Sequence, residues 1–165
     1  MLNINTINQM FLAANPDIAK KLKKEYDATH PKVYVMALKP KYAKMIYEGR
    51  KNWEFRKAPP PLFKAIYIYE SAPVSKVTGL LYFTEAFTAL PETVVDFTKH
   101  NKLYTKNKPG ISYDEFMDYA GEDLVTALRV ANPERFERPI ELTGKPPQNW
   151  GKFRADLRHP EGGAS

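Results

Sequence analysis

The stretch Gly49–Arg56, GRKNWEFR, sets five polar or charged side chains around one Trp and one Phe. Its second half alternates: Trp53 and Phe55 fall on one side of an extended chain, and Asn52, Glu54 and Arg56 on the other. That pattern predicts a strand with a charged face. Just upstream, Lys39-Pro40 opens a helix, PKYAKMIYEG, in which Tyr42, Met45 and Ile46 recur at helical spacing and Gly49 fits the C-terminal cap. Lys51 therefore stands at a junction between helix and strand, where strict alternation does not bind it. Either these charges are a solvated face, with Glu54 and Arg56 forming a surface ion pair worth about 0 to 1 kcal/mol, or they line a site.

Before this stretch, KVYVMAL after His30-Pro31 is rich in β-branched and apolar residues and reads as a buried strand. After it, Pro59-Pro60-Pro61 stops the charged strand, and AIYIYES and KVTGLLYFTEAF read as two more, joined through Ala72-Pro73-Val74-Ser75. Pro91 begins a helix through Val94 and Val95 towards Lys99. A polar basic loop, KHNKLYTKNKPG, follows. Ser112 with Glu115 forms a capping-box pattern at the head of YDEFMDYA, which should end near Gly121. LVTALRV and ERPIEL look like two strands interrupted at Asn132-Pro133, before a Pro-rich tail and a frayed EGGAS. At the N-terminus Asn15-Pro16-Asp17 is a helix start, with a helix expected to about Tyr26, Lys20, Lys21, Lys23 and Lys24 around it and a narrow stripe of Ile18 and Leu22. No internal repeat is present. The order β-α-β-β-β-α-α-β-β, with several strands adjacent in sequence, predicts an α+β protein with a mostly antiparallel, curled sheet.

A chain of 165 residues with 43% hydrophobic and 27% charged residues suits one folded domain with a proper core. It has no cysteine, which excludes a disulfide framework and a thiol nucleophile, and its three histidines are scattered, so no metal site is expected. The N-terminus has no basic lead before its short apolar patch, and no apolar run approaches the roughly 18 residues that span a bilayer, so a cytoplasmic location with no membrane contact is expected. The net charge of +6 favours a polyanionic partner, because cations placed against phosphates release condensed counterions.

The residues LKPKYAKMIYEGRKNWEFRK, YIYESAPVSKVTGLLYF, GISYDEFMDYA and RPIELTGKPPQNW together resemble the ASCH family, from about Lys32 to Trp150. The most specific part of the resemblance is G-x-K-x-x-E-x-R, met by Gly49, Lys51, Glu54 and Arg56. The resemblance implies a small PUA-like β-barrel of five to six mostly antiparallel strands with flanking helices, spanning residues 31–151. A helical extension (1–30) and a tail (152–165) would flank it. It also implies a cleft suited to RNA or a nucleoside, with the motif on its floor. Some members are similar to an amidohydrolase that removes the acetyl group of N4-acetylcytidine, ribonuclease activity is reported for others, and PUA-like relatives such as EVE and YTH domains bind modified bases without chemistry. The amidohydrolase branch carries Thr three positions after its catalytic Lys, where this chain has Glu54. Its second carboxylate has no counterpart in LYTKNKPG.

The motif supports two chemistries. For binding, Lys51 and Arg56 contact phosphate or a base carbonyl and Glu54 accepts from an exocyclic amino group, while Tyr69, Tyr82 or Trp150 stacks on a splayed base. For metal-independent hydrolysis of an acylated nucleobase or of RNA, a desolvated Lys51 is base or nucleophile, Glu54 relays a proton and Arg56 holds an oxyanion. Lys39 at the helix start could serve a phosphate, though a solvated lysine is the commoner state. Ser71 could line the cleft mouth, though a Ser at a strand end is more often a turn former. Trp150 is expected to pack more than to stack, and Met45 and Met117 to lie in the core. The basic runs Lys20 to Lys24 and Lys99 to Lys108 are solvated faces, unless both edge the cleft and guide a nucleic-acid backbone. The leading expectation is an RNA or modified-nucleoside binding domain with no cofactor. The alternatives are the hydrolase and a module that takes an acidic peptide.

Overall fold

The computed structural model describes residues 10, 13–18, 20, 21, 24, 32–100, 107–142 and 144–154. The chain divides into two compact units, residues 1–32 with 154–156, and residues 33–153 with 157–165. In the first, Pro16, Asp17 and Ile18 are helical, following the expected start at Asn15. The far end of that helix at Tyr26, the His30-Pro31 break, residues 101–106 of the basic loop and the EGGAS tail lie outside the described residues.

Apart from the end residues Lys32 and Arg154, the second unit holds β1 (Lys32–Leu38), α1 (Pro40–Tyr47), β2 (Trp53–Arg56), β3 (Ile66–Glu70), β4 (Lys76–Ala89), α2 (Pro91–His100), α3 (Tyr113–Ala120), β5 (Val125–Ile140) and β6 (Trp150–Arg154). The strands form one six-stranded sheet in the order β2-β5-β4-β3-β1-β6. β1 runs parallel to β3, whereas β2 with β5, β3 with β4 and β4 with β5 are antiparallel. The sheet is mixed.

The expected barrel is not closed. β2 and β6 remain the two edges, and the reason lies in the chain after β2: Pro59, Pro60 and Pro61 bring no backbone N–H with which a ladder could continue. Side chains cross where a ladder would be. Arg56 Nη1 donates to Asn149 Oδ1 at 2.7 Å, and both Asn149 Nδ2 and Trp150 Nε1 donate to the Ala58 carbonyl, at 3.1 and 3.0 Å.

Alternation sorts the core. Met36 and Leu38 of β1 join Ile66, Ile68, Leu81 and Phe83 under Ala43 and Ile46 of α1, while Val35 turns to the other face with Tyr69, Val77 and Ile140. Both faces of β1 are thus covered, which is why KVYVMAL is apolar throughout. Trp53 and Phe55 of β2 enter a second core with Val94 of α2 and Phe116 and Ala120 of α3. Ser112 caps α3 by accepting from the Glu115 backbone N–H at 3.1 Å, as the capping box predicts. Met45 and Met117 are half-buried, Met117 against this second core.

The end of the chain differs from the expectation. LVTALRV and ERPIEL are one strand, β5, in which Asn132 takes a positive φ of 48° and Asn132-Pro133 fall in a bulge where the β4–β5 register shifts. The sixth strand is instead β6, in a segment for which the sequence predicts none.

Candidate functional site

α1 ends at Tyr47, and the backbone N–H groups of Arg50 and Lys51 both turn back to the Met45 carbonyl, at 2.8 and 3.2 Å. This wrap delivers Lys51 to the inner side of the junction. Lys51 is 3% exposed and Glu54 6%. Lys51 Nζ donates to the Pro109 carbonyl at 2.6 Å, stands 4.0 Å from Glu54 Oε2, and lies over the rings of Phe55 and Tyr42 at 4.9 and 5.3 Å. Burial is the main cause that pulls its amine down to about 8, with Arg56 adding to the depression and Glu54 opposing it.

Glu54 and Arg56 do form an ion pair, but a buried one, with Arg56 Nε 3.2 Å from Glu54 Oε1. The approach is oblique, so Nε makes an ionic contact without a hydrogen bond. The other two nitrogens of the guanidinium are engaged inside the fold: Nη1 by Asn149 and Nη2 by the Ala37 carbonyl at 2.7 Å. Arg56 is therefore a brace between β2, β1 and the loop before β6, which leaves Lys51 Nζ, with one proton given to the Pro109 carbonyl, and Glu54 Oε2 as the motif's groups for a ligand in the cleft.

These groups form the floor of an open cleft of about 880 Å³. Lys39, Lys51, Glu54, Arg56 and Ser71, the five candidates read from the sequence, all border it. Lys39 is exposed and precedes Pro40 as the N-cap of α1, without a side-chain cap bond. Ser71 sits in the turn after β3, its N–H bound to the Leu38 carbonyl at 2.9 Å. Of the proposed stacking residues Tyr69 borders the cleft, but Tyr82 is not among its lining residues. Trp150 also lies elsewhere, packed on the α1-side core with its ring 6.0 Å from Tyr34.

The structure adds residues with no functional signal in the sequence. Tyr42, Phe55 and Tyr119 supply aromatic walls, and Glu115 and Asp118 of α3 supply two more carboxylates. Glu115 accepts from Tyr42 OH at 2.7 Å and from Lys41 Nζ at 2.9 Å, and these donors hold its carboxyl below the usual range. The capping box is the sole sequence feature that marks Glu115, and it marks it for the helix. Among the described residues no cluster of His, Cys, Asp or Glu could hold a metal ion, and no helix is long and apolar enough to cross a membrane.

Solved structures of ASCH from Zymomonas mobilis are similar to this chain in fold. One is 27% identical and superposes with a TM-score of 0.62 over 75% of this chain and 89% of its own. The chain has the ASCH fold. A Tyr→Phe and a Ser→Ala variant of the same Zymomonas protein match equally, each at 26% identity and TM-score 0.62, over 74% of this ASCH-type chain and 90% and 88% of theirs. No family model and no curated protein matches it.

Proposed function

We propose that the cleft of this ASCH-type, PUA-like domain binds a nucleobase, presented by RNA or as a modified nucleoside. The observation that carries the reading is the pair on the floor: Lys51 Nζ as donor and Glu54 Oε2 as acceptor, 4.0 Å apart, buried, and flanked by the rings of Tyr42 and Phe55. A nucleobase edge sets an acceptor beside a donor on a planar ring, which suits such a pair between aromatic walls. A volume of about 880 Å³ leaves room for the sugar as well.

One observation favours a second reading, a metal-independent hydrolase. With its amine at about 8, Lys51 is neutral in roughly a tenth of molecules at pH 7, so it can accept a proton from water. The hydroxide so formed would add to an amide carbonyl of the ligand, and Lys51 would return the proton to the departing amine.

Both readings are tested by incubating a panel of modified nucleosides and short RNAs with the wild-type protein and with Lys51→Ala, followed by mass spectrometry and binding titration. Retention of some members, weakened by about 1 to 3 kcal/mol in Lys51→Ala with no mass change, is the expected result. A mass loss with the wild type alone would establish the hydrolase. No retention of any member would overturn both.

A further inference from the structure

Residues 107–111, which lead into α3, lie directly on Lys51. A Cβ built on Gly110 would come within 2.5 Å of Lys51 Cβ and Cγ and 2.9 Å of its Cδ, so the glycine backbone rests on the lysine stem. Gly110 also takes a positive φ of 67°, where a side chain is strained. The loop is tied down in the three residues just before that contact. Asn52 N–H donates to the Lys108 carbonyl and Lys108 N–H donates to Asn52 Oδ1, each at 2.8 Å, while Trp53 Nε1 reaches Asn107 Oδ1 at 3.4 Å. The Pro109 carbonyl then receives Lys51 Nζ.

We propose that Gly110 is a positioning residue for Lys51: the strap 107–111 lies on its stem, holds Nζ against the Pro109 carbonyl and shields the side chain from bulk water on the side away from the cleft. Loosening the strap then restores an ordinary solvated cation. The inference takes from the proposed function only that Lys51 is the working group of the cleft. Its physical basis is that removing water penalises the ammonium form over the amine. The charged or titratable groups facing Lys51 are Glu54 and Arg56 from β2 and Tyr42 from α1, whose hydroxyl is bound to Glu115 of α3; from the strap comes Lys108, whose Nζ is turned to the Gly49 carbonyl at 3.2 Å. Glu54 and the Pro109 carbonyl favour the ammonium. Burial, to which the strap contributes from one side, outweighs both with the help of Arg56 and is the first cause of the depressed value.

The test is an NMR titration of the Lys51 Cε and Nζ signals in the 165-residue chain without ligand, assigned by their absence in Lys51→Met. Wild type should titrate near 8. Gly110→Ala, which pushes the strap off the stem, and Asn52→Ala, which removes the acceptor of the Lys108 N–H, should each raise the midpoint by at least about one pH unit. If Gly110→Ala does not fold by circular dichroism, Asn52→Ala decides. A midpoint unchanged in a folded variant, or a wild-type midpoint already near the ordinary 10.5, overturns the proposal. Because no ligand enters the titration, failure to bind nucleosides leaves its result intact.

Discussion

At the scale of single residues, Lys51 has a consequence for stability that needs no ligand. Burial holds its amine at about 8 in the folded chain against an ordinary 10.5, so the native state binds fewer protons than the unfolded chain between those values. Stability from this group therefore rises with pH across that window, by up to about 3 kcal/mol, and the penalty is fully present below it. Tyr47 works in the opposite direction: burial pushes its hydroxyl up to about 12, so its contribution is lost as pH climbs from 10 to 12. Urea unfolding of wild type and Lys51→Met, compared near neutrality, at about pH 10 and at about pH 11.5, separates the two, since the Lys51 rise between the first two vanishes in the variant and the Tyr47 fall between the last two stays. Arg56 is the second test at this scale. Arg56→Met leaves Glu54 buried beside no guanidinium and should cost about 3 to 5 kcal/mol in chemical denaturation, where a surface pair would cost under about 1. Arg56→Lys should recover only part, because one ammonium cannot reach Ala37, Asn149 and Glu54 together.

At the scale of elements, local signals served where one short segment carried all the information. Pro40, the Ser112 and Glu115 box and the alternation of Trp53 and Phe55 placed α1, α3 and β2 within a residue or so. β5 and β6 were not legible in this way. Asn132-Pro133 is a breaker taken alone, but β4 pairs on both sides of it, Tyr82 with Ala131 and Leu80 with Glu134, and the bulge absorbs the proline that a regular ladder would reject. WGKFR has no period-two pattern, and it becomes a strand because β1 offers an open edge and Trp150 and Asn149 anchor to Ala58. The close pairing of β4 with β5 makes its own prediction. A Cβ at Gly79 would stand 2.2 Å from the Glu134 carbonyl oxygen and 2.5 Å from the Tyr47 hydroxyl. Gly79→Ala should therefore destabilise by about 1 to 3 kcal/mol or more, lowering the denaturation midpoint, because the atom in the way is backbone.

At the scale of the whole molecule, charge does not follow the net value of the chain. The chain carries +6, yet the cleft is lined by Lys39, Lys41, Lys51 and Arg56 against Glu54, Glu115 and Asp118, which nearly balance. Nucleoside affinity should then be almost independent of salt. A short RNA should lose no more than about tenfold between roughly 50 and 200 mM salt, the effect of one or two phosphates, as fluorescence anisotropy would read. A loss of about a thousandfold would put the main backbone contacts outside the cleft. By itself the sequence determined the α+β class, the order of the first seven elements and the junction at which Lys51, Glu54 and Arg56 converge, because these depend on periodicity, capping and breakers within a few residues of each other. Only the tertiary structure decided that the sheet stays open, that Glu54 and Arg56 pair in the interior, that Arg56 braces the fold, and that α3 and the 107–111 strap complete the site around Lys51. Those outcomes depend on which distant segments remove water from a charge, and burial of that kind leaves no local pattern in the chain.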